Sequence, residues 1–452
     1  MLSKLINRPV SRSVEPIDGA SLAVVRIVFG AVGVLSVVRI VGYGWVEDLY
    51  AGAPRRFSYP GLGWVGPPGV AGTYVLLAVV AIAALAVMVG WWYRPAIVVF
   101  VVGFAWIEFL DVTTYLNHYW FMTTLGMVMA VAPMDARFAL RGPTTPMIRR
   151  GWVWLVRVHV AVVYVFAGLA KLNSDWLLHA MPLRLWLPAR SDLPVVGQVL
   201  EQRWTAYALS WAGAAFDCSI VALLLWRRTR SLAWVAVAAF HVATWVLFPI
   251  GVFPWLMIGV TTIFFAPDWP ARVATSVRMP RWRPDAVPTR VPVAASIGSL
   301  RTWHAVVAAL WVTAIIAIPL RHHLIPGDAR WTNEGYRFSW NVLLTEKGAD
   351  VRFRVTEPTT GTEWVETAED LYTPVQWRAM ASDPELIRQA AHAVAGVYRS
   401  DGRRVEVRAD AFVSFNGRAA HRLVDPSVDL SREPYRPLGQ PWIMPGPVGD
   451  PP

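Results

Sequence analysis

The chain has 452 residues, of which 55% are hydrophobic, 16% are charged and 25 are tryptophan. That balance excludes an ordinary soluble globular protein and places most of the chain in a membrane. The net charge of +11 would suit a nucleic-acid binder only if the basic residues formed a patch or run, and they do not.

Nine apolar stretches approach the roughly 20 residues of a bilayer crossing: 21–41, 71–91, 96–110, 115–132, 152–170, 204–226, 232–247, 251–266 and 303–320. With the N-terminus in the cytoplasm, the inner segments hold 17 Lys and Arg, among them Arg94, Arg137, Arg141, Arg149, Arg150 and Arg227. The outer connections between spans hold six. This asymmetry is the one that cytoplasmic retention of basic loops produces. It accounts for the basicity without nucleic acid, and it implies a multi-pass protein of the cell membrane with its C-terminal region outside. Residues 1–19 are too polar for a signal-peptide core, so the first span is expected to be a retained anchor. Cys218, the only cysteine, falls inside a span, so no intramolecular disulfide can form.

The outer connection 171–203 mixes Trp176, Leu183, Leu185, Trp186 and Leu187 with Arg184 and Arg190, a pattern that lies along a membrane interface. An inner stretch, "PRWRPDAVPTRVP" (280–292), reads as a basic, Pro-rich linker. Beyond residue 320, "ADVRFRVTE" and "RVEVRADAFVSFNGR" alternate polar and apolar residues as half-buried strands do. "DPELIRQAAHAVAGVYRS" has helical spacing, with Asp383 as the cap and Pro384 in the first turn. The expected fold is thus a polytopic α-helical membrane domain (1–320), an extracytoplasmic β-rich domain (321–433) and a Pro-rich tail (434–452).

Charges within a bilayer cost about 2.5–3.5 kcal/mol each on insertion scales. Arg26, Arg39, Glu108, Asp111, Arg157, His159, Asp217 and His241 all lie in or beside spans. Interhelical pairing, for example Arg157 with Asp217, is the structural explanation, and Arg39 fits a snorkelling residue. Lys171 has two readings from its context. It is an interfacial lysine balanced by Asp175 one turn later, or a desolvated amine able to act as a general base. The topology gathers Lys171, Asn117, His118, His241 and the C-terminal domain on one side. No metal is expected, because adjacent His322 and His323 chelate poorly and Cys218 stands alone.

Five segments together resemble the vitamin K-dependent gamma-carboxylases and their bacterial relatives: "EFLDVTTYLNHYWF", "YVFAGLAKLNSDWL", "AFHVATWVLFPIGVFPWLMI", "WTNEGYRFSWNVLL" and "FVSFNGRAAHRLVDPSVDL". The resemblance implies a nine-helix enzyme using reduced vitamin K (menaquinol or phylloquinol), O₂ and CO₂. Lys171 falls on the family's base, which deprotonates the hydroquinone. Oxygenation of the quinol to its epoxide then supplies a base strong enough to take a glutamate γ-proton, and CO₂ adds to the carbanion. His118, Asn117 and His241 fall on positions associated with that chemistry. Trp331, Tyr336, Ser339 and Trp340 fall in the part that holds the glutamate of an exported peptide. Thr345 stands where the animal enzymes have a histidine, and most of their large lumenal region has no counterpart. Two further readings therefore stay open: a quinol epoxidase without carboxylation, and a non-catalytic membrane binding protein.

Overall fold

The computed structural model describes residues 15–143, 145–276 and 302–451. The linker 280–292 lies outside the described residues. Among those residues six helices are long and apolar enough to cross a membrane. They are α1 (Ala20–Gly42), α2 (Gly69–Val89), α5 (Arg150–Lys171), α6 (Arg203–Leu225), α7 (Arg230–Leu247) and the helix α10 (Thr302–Leu320). The other three expected spans are shorter than the bilayer length. α3 (Tyr93–Glu108) has 16 residues, α4 (Asn117–Val131) 15 and α8 (Phe253–Val260) 8, the last prolonged by one 3₁₀ turn. A count of nine crossing helices therefore becomes six of crossing length plus three short ones. The physical reason is local. Asp111 caps a separate turn by accepting from the Thr113 amide, which keeps α3 and α4 apart.

The helices pack in chain order, α1 on α2, α2 on α3 and α3 on α4, then α5 on α6 and α6 on α7. α8 returns against α1 and α7, and α10 lies along α5. A helix α9 (Trp269–Ser276) follows α8, and a short two-stranded ribbon, β1 (Pro16–Asp18) with β2 (Met147–Arg149), ties the starts of α1 and α5 together.

The C-terminal part holds a four-stranded antiparallel sheet in the order β4-β3-β5-β6, from β3 (Lys347–Glu357), β4 (Thr362–Glu366), β5 (Glu406–Phe415) and β6 (His421–Arg422). Alternation places Val351, Phe353 and Val355 of β3 beside Val407, Ala409, Ala411 and Val413 of β5, all buried on one face. Helix α12 (Pro384–Ser400) covers that face with Leu386, Ile387, Ala390 and Val394. Asp383 caps it by accepting from the Glu385 and Leu386 amides, as the sequence implied. Helix α11 (Pro374–Ala381) precedes it with a full capping box at Thr373 and Gln376. The tail forms no helix or strand, yet Trp442 is buried and the Trp331 indole N–H donates to the Met444 carbonyl.

Loops of the helical part enter this core. Phe57 stacks on Tyr372 at 4.3 Å, and Asp111 accepts from the Phe57 amide and from Gln376 Nε2. Burial would raise the Asp111 carboxyl, and these bonds together with those from Thr113 only partly offset it. The two regions share a packed boundary rather than a linker.

Candidate active site

Lys171 ends α5 because three small or flexible residues, Ala167, Gly168 and Ala170, let α6 approach closely. A Cβ added at Gly168 would lie 2.9 Å from Cys218 Sγ and 3.0 Å from its amide nitrogen. One turn beyond this crossing the Lys171 ammonium donates to Asp217 Oδ2 at 2.8 Å, to the Ala167 carbonyl at 3.3 Å, and faces the Trp176 ring at 5.3 Å. Both partners of the ion pair are nearly closed to solvent, with 7% and 5% side-chain exposure. The expected Arg157–Asp217 pair does not form. Arg157 instead donates to the carbonyls of Ile263, Phe264 and Phe265, where α8 unwinds and frees acceptors.

Asp175 does not balance Lys171 either. It accepts two bonds from Arg418 (2.6 and 3.1 Å) and one from Asn416 (2.9 Å) in the C-terminal domain. Burial alone would raise its carboxyl, but the bonds from Arg418 and Asn416 and the charges of Arg418 and Arg330 hold it below the usual range. Arg330 also donates to Asn173 Oδ1 at 2.8 Å. The segment after Lys171 is thus a dock for the C-terminal domain, and it folds as short helices (Ser174–Leu177, Leu183–Trp186, Gly197–Leu200) with Trp176, Leu183 and Leu200 buried against α6.

Lys171 and Asp217 line a cavity of about 330 Å³ between α5, α6 and α7. Its walls are apolar, with Phe216, Phe240, Phe248 and Phe253, and its roof includes Val342 and Leu343 of the C-terminal part. A second polar pair faces the same space: Tyr164 Oη lies 2.9 Å from His241 Nε2, and His241 Nδ1 has no partner. Tyr164 stands seven residues before Lys171, on the same helix face. That seven-residue spacing is the signal in the sequence for Tyr164, and the cation that Asp217 meets is Lys171 rather than the expected Arg157.

His118 lies next door. It is buried, packs on Phe253 with ring centres 6.1 Å apart, and its Nε2 has no partner. Phe253 also contacts the His241 ring at 5.8 Å, so one phenyl separates the two imidazoles. Asn117 accepts from Tyr115 Oη at 2.9 Å and donates to the Asn341 carbonyl at 3.3 Å, beside the cavity roof. Arg39, expected to snorkel, lies over the Tyr43 and Trp45 rings at the end of α1, 5.5 and 5.3 Å away, and its guanidinium also covers Gly251, where a Cβ would meet Nη1 at 2.5 Å.

The four residues expected to hold a substrate are distributed otherwise than in one open surface. Trp331 is buried in the sheet core. Tyr336 Oη shares a bond with Thr345 Oγ1 at 3.3 Å, and Ser339 donates to the Gly335 carbonyl at 2.6 Å. Trp340 is buried among the membrane helices, its ring 6.3 Å from that of Phe121. The backbone here is strained: Phe338, Trp340 and Leu343 all have left-handed φ values, of 63°, 57° and 58°, each costing about 1–3 kcal/mol. Packing on both sides overrides that cost and sets Val342 and Leu343 over the lysine cavity.

An apolar chamber among membrane helices, roofed by a sheet-containing module and holding one buried amine, is the candidate site of a multi-pass membrane protein. Residues 14–269 match the HTTM domain, and residues 300–448 match the vitamin K-dependent gamma-carboxylase lumenal domain. The chain belongs to the vitamin K-dependent gamma-carboxylase family. No solved structure matches it.

Proposed function

We propose that the protein is a membrane enzyme that oxidises a lipid-soluble quinol, menaquinol or phylloquinol, with O₂ and couples that oxidation to carboxylation of glutamate in an exported peptide. The observation that carries this reading is the Lys171–Asp217 pair facing an apolar cavity that also presents Tyr164–His241. The cavity suits a hydroxylated aromatic ring on an apolar tail, since aromatic walls take the ring and the two polar pairs supply bonding partners.

When bound and oxygenated, the quinol supplies the base strength that a glutamate γ-proton demands and that no side chain possesses. Transfer of the ammonium proton to Asp217 Oδ2 leaves a neutral amine at Lys171 Nζ, which then takes the hydroxyl proton as the quinol becomes its anion. Tyr164 and His241 hold a second hydroxyl, or pass its proton between Oη and Nε2. Support for a glutamate position near His118 and Asn117 comes from the bond of Asn117 to the Asn341 carbonyl and the packing of His118 on Phe253, which also lines the lysine cavity. In this reading the three short helices complete nine crossings, the domain faces outside the plasma membrane, and residues 321–433 with their tail form its substrate side.

The test is epoxide formation by the purified protein given reduced menaquinone and O₂, with labelled CO₂ and a glutamate peptide added separately. Epoxide that depends on Lys171 supports the reading; its absence with both quinones overturns it. Quinol oxidation without carboxylation is a second reading, favoured by the placement of Trp331 in the sheet core and by Thr345 bonded to Tyr336. Epoxide formed with no label entering the glutamate peptide distinguishes it.

A further inference from the structure

A second cavity, also about 330 Å³, lies between the helical part and the C-terminal domain and shares no lining residue with the lysine cavity. Its floor is apolar: Leu62, Phe109, Val112 and Phe338. Its rim is polar, and the charges on that rim are unequally matched. Asp383 pairs with Arg337 at 2.8 Å and Glu385 with Arg388 at 2.7 Å. Arg436 pairs with Glu433, and Arg321 donates to the carbonyls of Ile318 and Arg337. Glu334 alone among the lining acids has no basic partner among the described residues; the Gln440 amide N–H is its bond. Two more lining residues carry a buried acceptor without a partner, Tyr59 at Oη and Gln440 at Oε1. Buried polar atoms without partners are rare and call for one.

We propose that this cavity binds the side chain of a lysine in an extended peptide. An alkylammonium has three N–H donors and no acceptor, which is the complement of a carboxylate, an amide oxygen and a phenol oxygen. Its four-carbon stem lies on an aromatic floor as lysine stems do elsewhere. A peptide is the source rather than a lipid headgroup because the rim comes from Glu334, Asp383, Gln389, Tyr435 and Gln440 of the C-terminal part. The inference is independent of the chemistry at Lys171.

Burial raises Glu334 to about 7, with the negative charges of Asp383 and Glu385 adding to the effect and the Gln440 amide opposing it. Below that value the carboxyl is neutral, so lysine binding strengthens from pH 6 to pH 8. His322 packs on Gly335, the guanidinium groups of Arg321, Arg337 and Arg436 line the same space, and Lys347, behind Trp331 and Asn333, is lowered by burial to about 7.

The test uses the full chain in phosphatidylcholine nanodiscs and calorimetric titration with capped Gly-Lys-Gly, Gly-norleucine-Gly and Gly-Glu-Gly peptides. The lysine peptide is expected to bind at least about tenfold more tightly than the other two, and Glu334→Gln to remove that preference and its pH dependence. Should that variant fail to fold, Tyr59→Phe, which deletes one hydroxyl, is expected to weaken lysine binding about threefold. Equal binding of the norleucine peptide, preference for the glutamate peptide, or a pH profile that survives Glu334→Gln would overturn the proposal. So would loss of lysine binding when phosphatidylethanolamine replaces phosphatidylcholine, since the site would then belong to a lipid.

Discussion

The two halves of the helical part treat a buried cation in opposite ways. In α1–α4, Arg26 is fully buried and donates to the carbonyls of Val87, Met88, Met134, Arg137 and Phe138, which are the free ends of α2 and the chain after α4. It lines neither of the two cavities described above. In α5–α7, Lys171 faces a carboxylate and an apolar chamber. Arginine cannot surrender its proton and its fork suits several carbonyls, so it serves as a clamp. In the proposed reaction, lysine beside a carboxylate and a cavity serves instead to transfer a proton. Burial of charge marks function only where space and a proton acceptor accompany it.

Breaking this contrast begins with the lysine. Lys171→Ala is expected to abolish quinol epoxidation, a loss of at least about 10²-fold, while Asp217 is left buried and unpaired at about 3–5 kcal/mol of stability. The double variant Lys171→Met/Asp217→Leu should recover the stability and stay inactive. Activity near normal in either protein would remove the lysine from the chemistry.

Arg26→Met should do the reverse. It leaves five carbonyls short of donors, with one unmet buried acceptor costing about 1–3 kcal/mol. The expected outcome is a large fall in thermal midpoint with turnover per folded molecule retained. A fall in turnover greater than in folded fraction would show that the two halves are coupled.

Asp217→Asn keeps the shape and removes the charge. Turnover is expected to drop about ten- to a hundredfold at neutral pH, and quinol affinity, read from KM, should change little. Tyr164→Phe should cost less, about tenfold in kcat, because the His241 ring remains in place. Unchanged kcat would reduce the Tyr164–His241 pair to packing.

Lys347 sharpens the comparison from the sheet domain, with the smallest effect. Like Arg26 it donates to carbonyls, those of Trp331 and Ser382, with Asn333 Oδ1 as a third acceptor. Burial lowers it to about 7, the nearby Asp383 charge partly opposing. The unfolded chain therefore binds more protons than the folded one between about pH 7 and the ordinary lysine value near 10.4. Stability should rise with pH across that window, and Lys347→Met should flatten the rise. A thermal midpoint that falls from pH 7 to pH 9 would contradict the assignment.

Much of this was legible in the residues. Runs of apolar residues set the membrane helices, since transfer from water depends on local composition. Period-two alternation set β3 and β5, and Asp383–Pro384 set the start of α12, because caps and pleats act over a few residues. The concentration of Lys171, His118 and His241 toward the end that meets the C-terminal domain also followed from the order of spans. Partner choice did not. Whether Asp217 met Arg157 or Lys171 depended on the close crossing at Gly168, and whether Asp175 met Lys171 or Arg418 depended on docking of a segment 243 residues away. Charge pairing is decided by three-dimensional distance, which only the packed structure supplies.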